Sequence, residues 1–263
     1  MAVLSLKVQD KQGNTLCVSS GEDYVSLVHA AEYEEGDFIA FECSEKNIHV
    51  ILQVDDAMGP AQVYVTDNVY YHIPFGEKRI SYSPKVFTGK RHHLYARVAT
   101  EEEISAYRNL ALNVMDQHGD TNCYPHAWAN VETRGEAVFA ARNAIDGVRE
   151  NRSHGEWPYQ SWGINRRDDA EMTVEFGREV EIDQIILVTR ADFPHDNWWR
   201  EATLSFSDGG SMVVTMEKST LPHVFEFPVR KTTFVKLSNL IKSDEPSPFP
   251  ALSQIEIYGH EIL

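Results

Sequence analysis

The chain is poor in cysteine: Cys17, Cys43 and Cys123 are three thiols in 263 residues, and none belongs to a Cys-x-x-Cys pair. They are too few and too scattered for a disulfide framework, and each is expected as a small buried hydrophobe. Basic residues are also scarce. Lys and Arg total 24 against 40 Asp and Glu, giving a formal charge of −16 that repels phosphate backbones and anionic lipid surfaces. No run of Lys and Arg with interleaved aromatics offsets that field, so neither nucleic acid nor membrane is an expected partner. Long hydrophobic runs are missing too, and no apolar stretch approaches the ~20 residues that cross a bilayer. The opening MAVLSLKVQDKQGN has no basic segment leading into an apolar core. It predicts a cytoplasmic chain, or a secreted one if a leader has been removed. The phosphate-cradling GxxxxGK and GxGxxG patterns are absent, as is the GxSxG elbow of serine hydrolases. The histidines form no His-x-x-x-His pair, which removes the usual helical zinc arrangement.

What remains is enough to fold: 42% of residues are hydrophobic and 11% aromatic, over the length of two average domains. Residues 1–99 read as short strands. In NIHVILQV, Ile48, Val50, Leu52 and Val54 share one face, and in HLYARVA so do Leu94, Ala96 and Val98. Turn signals such as DKQGN, SSGED and FTGK separate them. Residues 100–120 predict a helical connector. Thr100 and Glu103 fit a capping box, Ile104, Tyr107, Ala111 and Val114 recur at helical spacing, and the helix should end near Gly119. Strand patterning returns over 121–263 in EMTVEF, IDQIILVT, EATLSFS, SMVVTM, TTFVKL and QIEIY, with SDGG as a hairpin signal. The fold expected is all-β: two β-sandwich domains joined by a helical connector. All five tryptophans lie between 128 and 199, so the aromatic chemistry belongs to the second domain.

Residues 121–263 resemble a discoidin domain, the coagulation-factor C-type module that also occurs as galactose-binding-like carbohydrate-binding modules. The resemblance is carried by an ordered series: ARNAIDG, SWG, EMTVEFGREVEIDQIILVTR, ATLSFSDGG and ALSQIEIYG. It implies an eight-stranded jelly roll with ligand loops at one end. It also implies a calcium site at the Asp-Gly turn, built from the Asp146 carboxylate, the carbonyls of Asn143 and Val148, an oxygen of Asn151, and the Ser253–Gln254 pair. One departure matters: Gln254 stands where the family usually carries an acid. Read locally, Asp146–Gly147 is also simply a tight turn.

Sugars present flat C–H faces and a ring of hydroxyls, so a receptor needs aromatic platforms and planar hydrogen-bonding groups. Three loops supply them. SHGEWPYQ offers His154, Glu156, Trp157 and Tyr159; RADFPHDNWWR offers Arg190, Asp192, His195 and Trp198; SDEPSPFPALS offers Phe249. Trp128, Trp162 and one of Trp198 and Trp199 are expected in the core instead, and Arg166 and Arg167 are expected as solvated charge. The function that follows is a non-catalytic, lectin-like protein that binds a neutral or amino sugar. Two alternatives use the same surface. In one, a glycoside hydrolase or lyase works through Glu156 with Asp192 or Asp196, or through His154 or His195 as base. In the other, the module docks a protein. An oligomer is compatible with the sequence.

Overall fold

Alternate residues of the early strands are apolar, and that alternation sets which face turns inward. The computed structural model describes residues 1–119, 121–150, 155–191 and 196–262. Its first half contains β1 (Val3–Gln9), β2 (Thr15–Glu22), β3 (Tyr24–His29), β4 (Phe38–Cys43), β5 (Ile48–Gln53), β6 (Ala61–Val65), β7 (Val69–His72) and β8 (His92–Val98). One sheet runs β2-β1-β4-β7, and the facing sheet runs β6-β5-β8-β3. Val50, Leu52, Val54, Leu94 and Ala96 lie in the core between them, with Ile48 and Val98 packed against it. Cys123 is buried as expected, but Cys17 and Cys43 are only half-buried, because both lie on strands flanking the core.

The connector differs from its expectation. The Thr100 capping box is present, yet α1 spans only Glu101–Ser105. The chain leaves the helix at Ala106, whose ψ of 139° is extended. Next comes β9 (Arg108–Asn109), which pairs with Tyr258 and Gly259. The Asn109 side chain accepts from the backbone of Ala111 at 3.0 Å and Ile257 at 2.9 Å. Tertiary pairing therefore overrides a modest helical propensity, as it commonly does for short helices. The apolar residues at helical spacing are divided instead: Ala111 enters the second core and Val114 packs on the first. Downstream, β10 (Cys123–Tyr124) adds to the edge of the first sandwich beside β6.

The second half contains β11 (His126–Ala129), β12 (Trp162–Gly163), β13 (Met172–Thr189), β14 (Trp199–Phe206), β15 (Ser211–Thr215), β16 (His223–Lys242) and β17 (Ala251–Glu261). With β9 they form an antiparallel eight-stranded sheet, ordered β12-β17-β13-β16-β14-β15, with β11 and β9 pairing onto β13 and β17. The two long strands change neighbours along their length. β13 pairs with β11 up to Glu175, shifts register across Gly177, and pairs with β17 from Val180 onward. Such irregularities bend a strand, so one continuous sheet can fold over a single core. That core holds Trp162 and Trp199 with no exposure and their ring centres 6.2 Å apart. Trp128 is not core: on β11 its ring is 45% exposed and its Nε1 donates to Glu175 at 3.0 Å. The inward place on that strand goes to Ala127.

A polar seam joins the halves. Glu261 of β17 pairs with Arg178 and with Arg108, the latter at 2.8 Å, and lies 3.7 Å from His49 of β5. Arg178 covers the Tyr64 ring of β6 at 4.9 Å. Among the described residues no helix is long and apolar enough to cross a membrane.

Candidate functional site

At one end of the second sandwich, loops surround a cleft of about 510 Å³. Thr133, Arg134 and Phe139 form one wall, Gly163 to Arg166 the next, and Arg190, Asp196 and the segment 246–251 the remainder. Gly163, which follows Trp162, permits the close approach of two walls: a Cβ there would meet Thr133 Oγ1 at 2.5 Å.

The segment carrying Phe249 contains Pro246, Pro248 and Pro250, each with φ fixed by its ring. Asn197, fully buried, ties it down. Its Nδ2 donates to the carbonyls of Glu245 at 3.0 Å and Ser247 at 2.6 Å, and its backbone N–H donates to Phe249 O at 3.2 Å. Its Oδ1 accepts from Ser243 Oγ and the Trp198 N–H, both at 2.7 Å. A buried amide with every group paired makes a rigid support. Phe249 is left 37% exposed in the cleft wall, with Arg166 over its ring at 4.6 Å.

Arg190 reaches the cleft from the end of β13, but it is only 2% exposed. Its Nη1 donates to the Tyr159 carbonyl, and its Nε lies 3.1 Å from Asp196 Oδ2. Burial lowers its pKa, and the Asp196 charge opposes that fall. The arginine thus holds two loops together and also offers part of the lining. Arg134 forms a two-pronged pair with Glu136. Asp196 is the one carboxylate that lines the cleft among the described residues.

Of the residues singled out in the sequence, Arg190 and Phe249 meet here. Tyr159 is buried and contributes its carbonyl to Arg190, while Glu156 is exposed and Trp157 half-buried, both outside the lining. Trp198 lines a separate shallow depression with Arg200, Ser243 and Asp244, sharing Pro246 with the cleft. His154, Asp192 and His195 lie outside the described residues. Sequence reasoning missed Arg134, Asn197 as a support, and Arg166, which is not simply solvated charge because it covers Phe249. A double arginine after SWG was visible in the sequence, but its approach to a ring far along the chain was not.

Around the Asp-Gly turn, the Asn143 and Ser253 carbonyls and the Asp146 carboxylate converge on the Gln254 side chain. Val148 presents its N–H, donating to Asp146 Oδ1 at 2.8 Å. Asn151 lies outside the described residues. Among the described residues, no group of three or more His, Cys, Asp or Glu side chains is placed to hold a metal ion.

No family model matches the chain, and no curated protein does. Solved structures similar to it include chitosan-binding module 1 derived from a chitosanase/glucanase of Paenibacillus sp. IK-5, 20% identical, covering 57% of this chain and 98% of that one, TM-score 0.38. A family 32 carbohydrate-binding module from C. perfringens in complex with galactose is 18% identical and covers 50% of this chain and 91% of its own, TM-score 0.39. A fucose-binding module from Streptococcus pneumoniae is 13% identical and covers 58% and 98%, TM-score 0.42.

Proposed function

We propose that the protein is a non-catalytic carbohydrate-binding protein and that its ligand lies in the cleft beside Phe249. The observation that carries this reading is the pairing of an exposed aromatic ring with forked donors on a fixed frame. Phe249 offers an apolar face at a proline-rich wall anchored by Asn197, Arg166 lies over its ring, and Asn165 and Arg134, the latter paired with Glu136, line the same cleft. Pockets that hold small ligands combine an apolar platform with a few convergent polar groups in this way. The motif series that resembles the sugar-binding modules supports the same reading. Binding is favoured over hydrolysis because two carboxylates must flank a glycosidic bond to cleave it. Asp196 is the lone carboxylate in the described lining, and it is turned against Arg190.

Titration calorimetry with a panel of neutral, amino and acidic monosaccharides tests the proposal. Saturable binding is expected, together with a rise in melting temperature that follows ligand concentration. Phe249→Ala should weaken binding by about 3- to 10-fold, the worth of one aromatic contact, without lowering the melting temperature of the free protein. Absence of binding across the panel overturns the reading, and turnover of chromogenic glycosides would replace it with the enzymatic one.

A further inference from the structure

The family resemblance implies a divalent cation at the Asp146 turn, and the residues present can be tested for it. Calcium takes six to eight oxygens at roughly 2.3–2.6 Å. Here the converging oxygens surround a nitrogen: Gln254 Nε2 lies 2.8 Å from Asn143 O, 2.7 Å from Asp146 Oδ1 and 2.7 Å from Ser253 O. The orientation of the amide is fixed independently, because its Oε1 accepts the Gly147 N–H at 2.9 Å. The second carboxylate oxygen is taken as well, by Gln160 Nε2 at 2.9 Å. Gln160 is fixed in turn, since its own carbonyl accepts the Tyr159 N–H at 3.1 Å. Each of these oxygens lies within hydrogen-bonding distance of a side-chain amide of the protein, and the residues as arranged do not fit a cation.

We propose that the Gln254 carboxamide stands where the family's cation would stand, so that the loop is locked without metal. Beside this turn Arg142, 5% exposed, adds neutral contacts: its Nη1 donates to Asn143 Oδ1 at 3.0 Å, its Nη2 to Val114 O at 3.3 Å, and its guanidinium covers Tyr82 at 4.5 Å. A buried carboxylate needs hydrogen bonds to replace its lost hydration. The Gln254 and Gln160 amides supply them, and a dication would have to displace Gln254 for a site with a single acid. The substitution thus turns a loop staple that depends on calcium supply into one encoded in the chain. This inference is independent of what the cleft binds.

The test is a calcium titration of the metal-stripped protein, read by melting temperature and by terbium luminescence, on the unaltered chain and on Gln254→Glu. The unaltered protein should shift by less than about 1 °C and give no terbium signal. Gln254→Glu sets a second carboxylate against Asp146, so it should melt lower in chelator and gain about 5 °C or more at calcium well above its dissociation constant. A calcium-dependent rise in the unaltered protein overturns the proposal, and so does a Gln254→Glu variant blind to calcium. Should that variant be recovered unfolded in chelator, refolding on adding calcium supports the proposal and failure to refold counts against it.

Discussion

The Arg166 guanidinium lies 4.6 Å from the centre of the Phe249 ring, bringing a fixed positive charge onto the most exposed aromatic surface of the cleft. Arg134, paired with Glu136, and Arg190, paired with Asp196, line the same cavity, in a chain whose net charge is −16. Local charge thus runs against global charge. An acidic sugar such as galacturonic acid should bind more tightly than galactose, and an amino sugar less tightly than either. The preference should shrink as salt is raised, because an exposed guanidinium is screened. Arg166→Gln should reduce the acidic sugar's affinity by about tenfold, the worth of a charge-assisted hydrogen bond, and leave the neutral sugar nearly unaffected. Equal affinities for the three sugars in low salt would refute charge selection.

Arg190 has a different place in the cleft. Its guanidinium is almost wholly buried, donates to the Tyr159 carbonyl and pairs with Asp196. Removing one partner of a buried pair leaves the other charge uncompensated, at a cost of about 3–5 kcal/mol. Arg190→Ala should therefore lower the melting temperature by roughly 10 °C, at ~2–4 °C per kcal/mol for a chain of this size. Arg190→Lys keeps the charge but not the fork, and should recover part of the loss. If Arg190→Ala melts like the unaltered protein while losing ligand, the side chain is a ligand contact and not a loop support.

Much of this architecture was legible in the sequence. Alternation alone put Val50, Leu52, Leu94 and Ala96 on inward faces, where the first core holds them. The expectation that one member of the adjacent tryptophan pair turns inward is met by Trp199. Legibility failed where a distant strand decided the outcome. The helix after Thr100 stops early because β17 captures Arg108 and Asn109. Trp128 stays outside because Glu175, across the ladder, receives its indole N–H. The cleft was half legible. Phe249 and Arg190 could be named from loop position, but the contact of Arg166 with Phe249 depends on how the loop after β12 meets the segment before β17. At the Asp-Gly turn the missing acid was visible, whereas the three oxygens collected by its replacement were not.

The seam between the sandwiches should give the protein a definite pH response. Burial lowers the His49 pKa to about 4 from an ordinary 6.5, although Glu261 opposes the fall. The unfolded chain then takes up a proton near pH 6.5 that the folded chain refuses until about pH 4. More protons on the unfolded state means that stability is complete above the upper value and is lost as pH falls through the window. The shift is worth at most about 3 kcal/mol. Melting temperatures from pH 7 to 4 should fall more steeply for the unaltered protein than for His49→Gln, which has no proton to gain. Parallel profiles would show that His49 carries none of the response.

Gly177 supplies the sharpest steric test of how the two halves meet. It sits at the register shift of β13 with φ +69°, a left-handed conformation, and a Cβ there would lie 2.4 Å from Tyr124 Cδ2 of β10. Gly177→Ala therefore meets two costs: about 1 kcal/mol for the backbone and roughly 1–3 kcal/mol for a methyl group driven into a ring with little room to move. Gly209 separates them. Its φ is +83°, but nothing lies within 4 Å of its Cβ position, so Gly209→Ala carries the backbone cost alone. Thermal melts should show Gly177→Ala losing two to four times as much stability as Gly209→Ala, in keeping with the sum of those two estimates. Adding Tyr124→Leu to Gly177→Ala should return much of the difference, because residues in contact couple whereas distant ones add. Equal losses from the two alanines would mean that β10 does not press on the bend in β13.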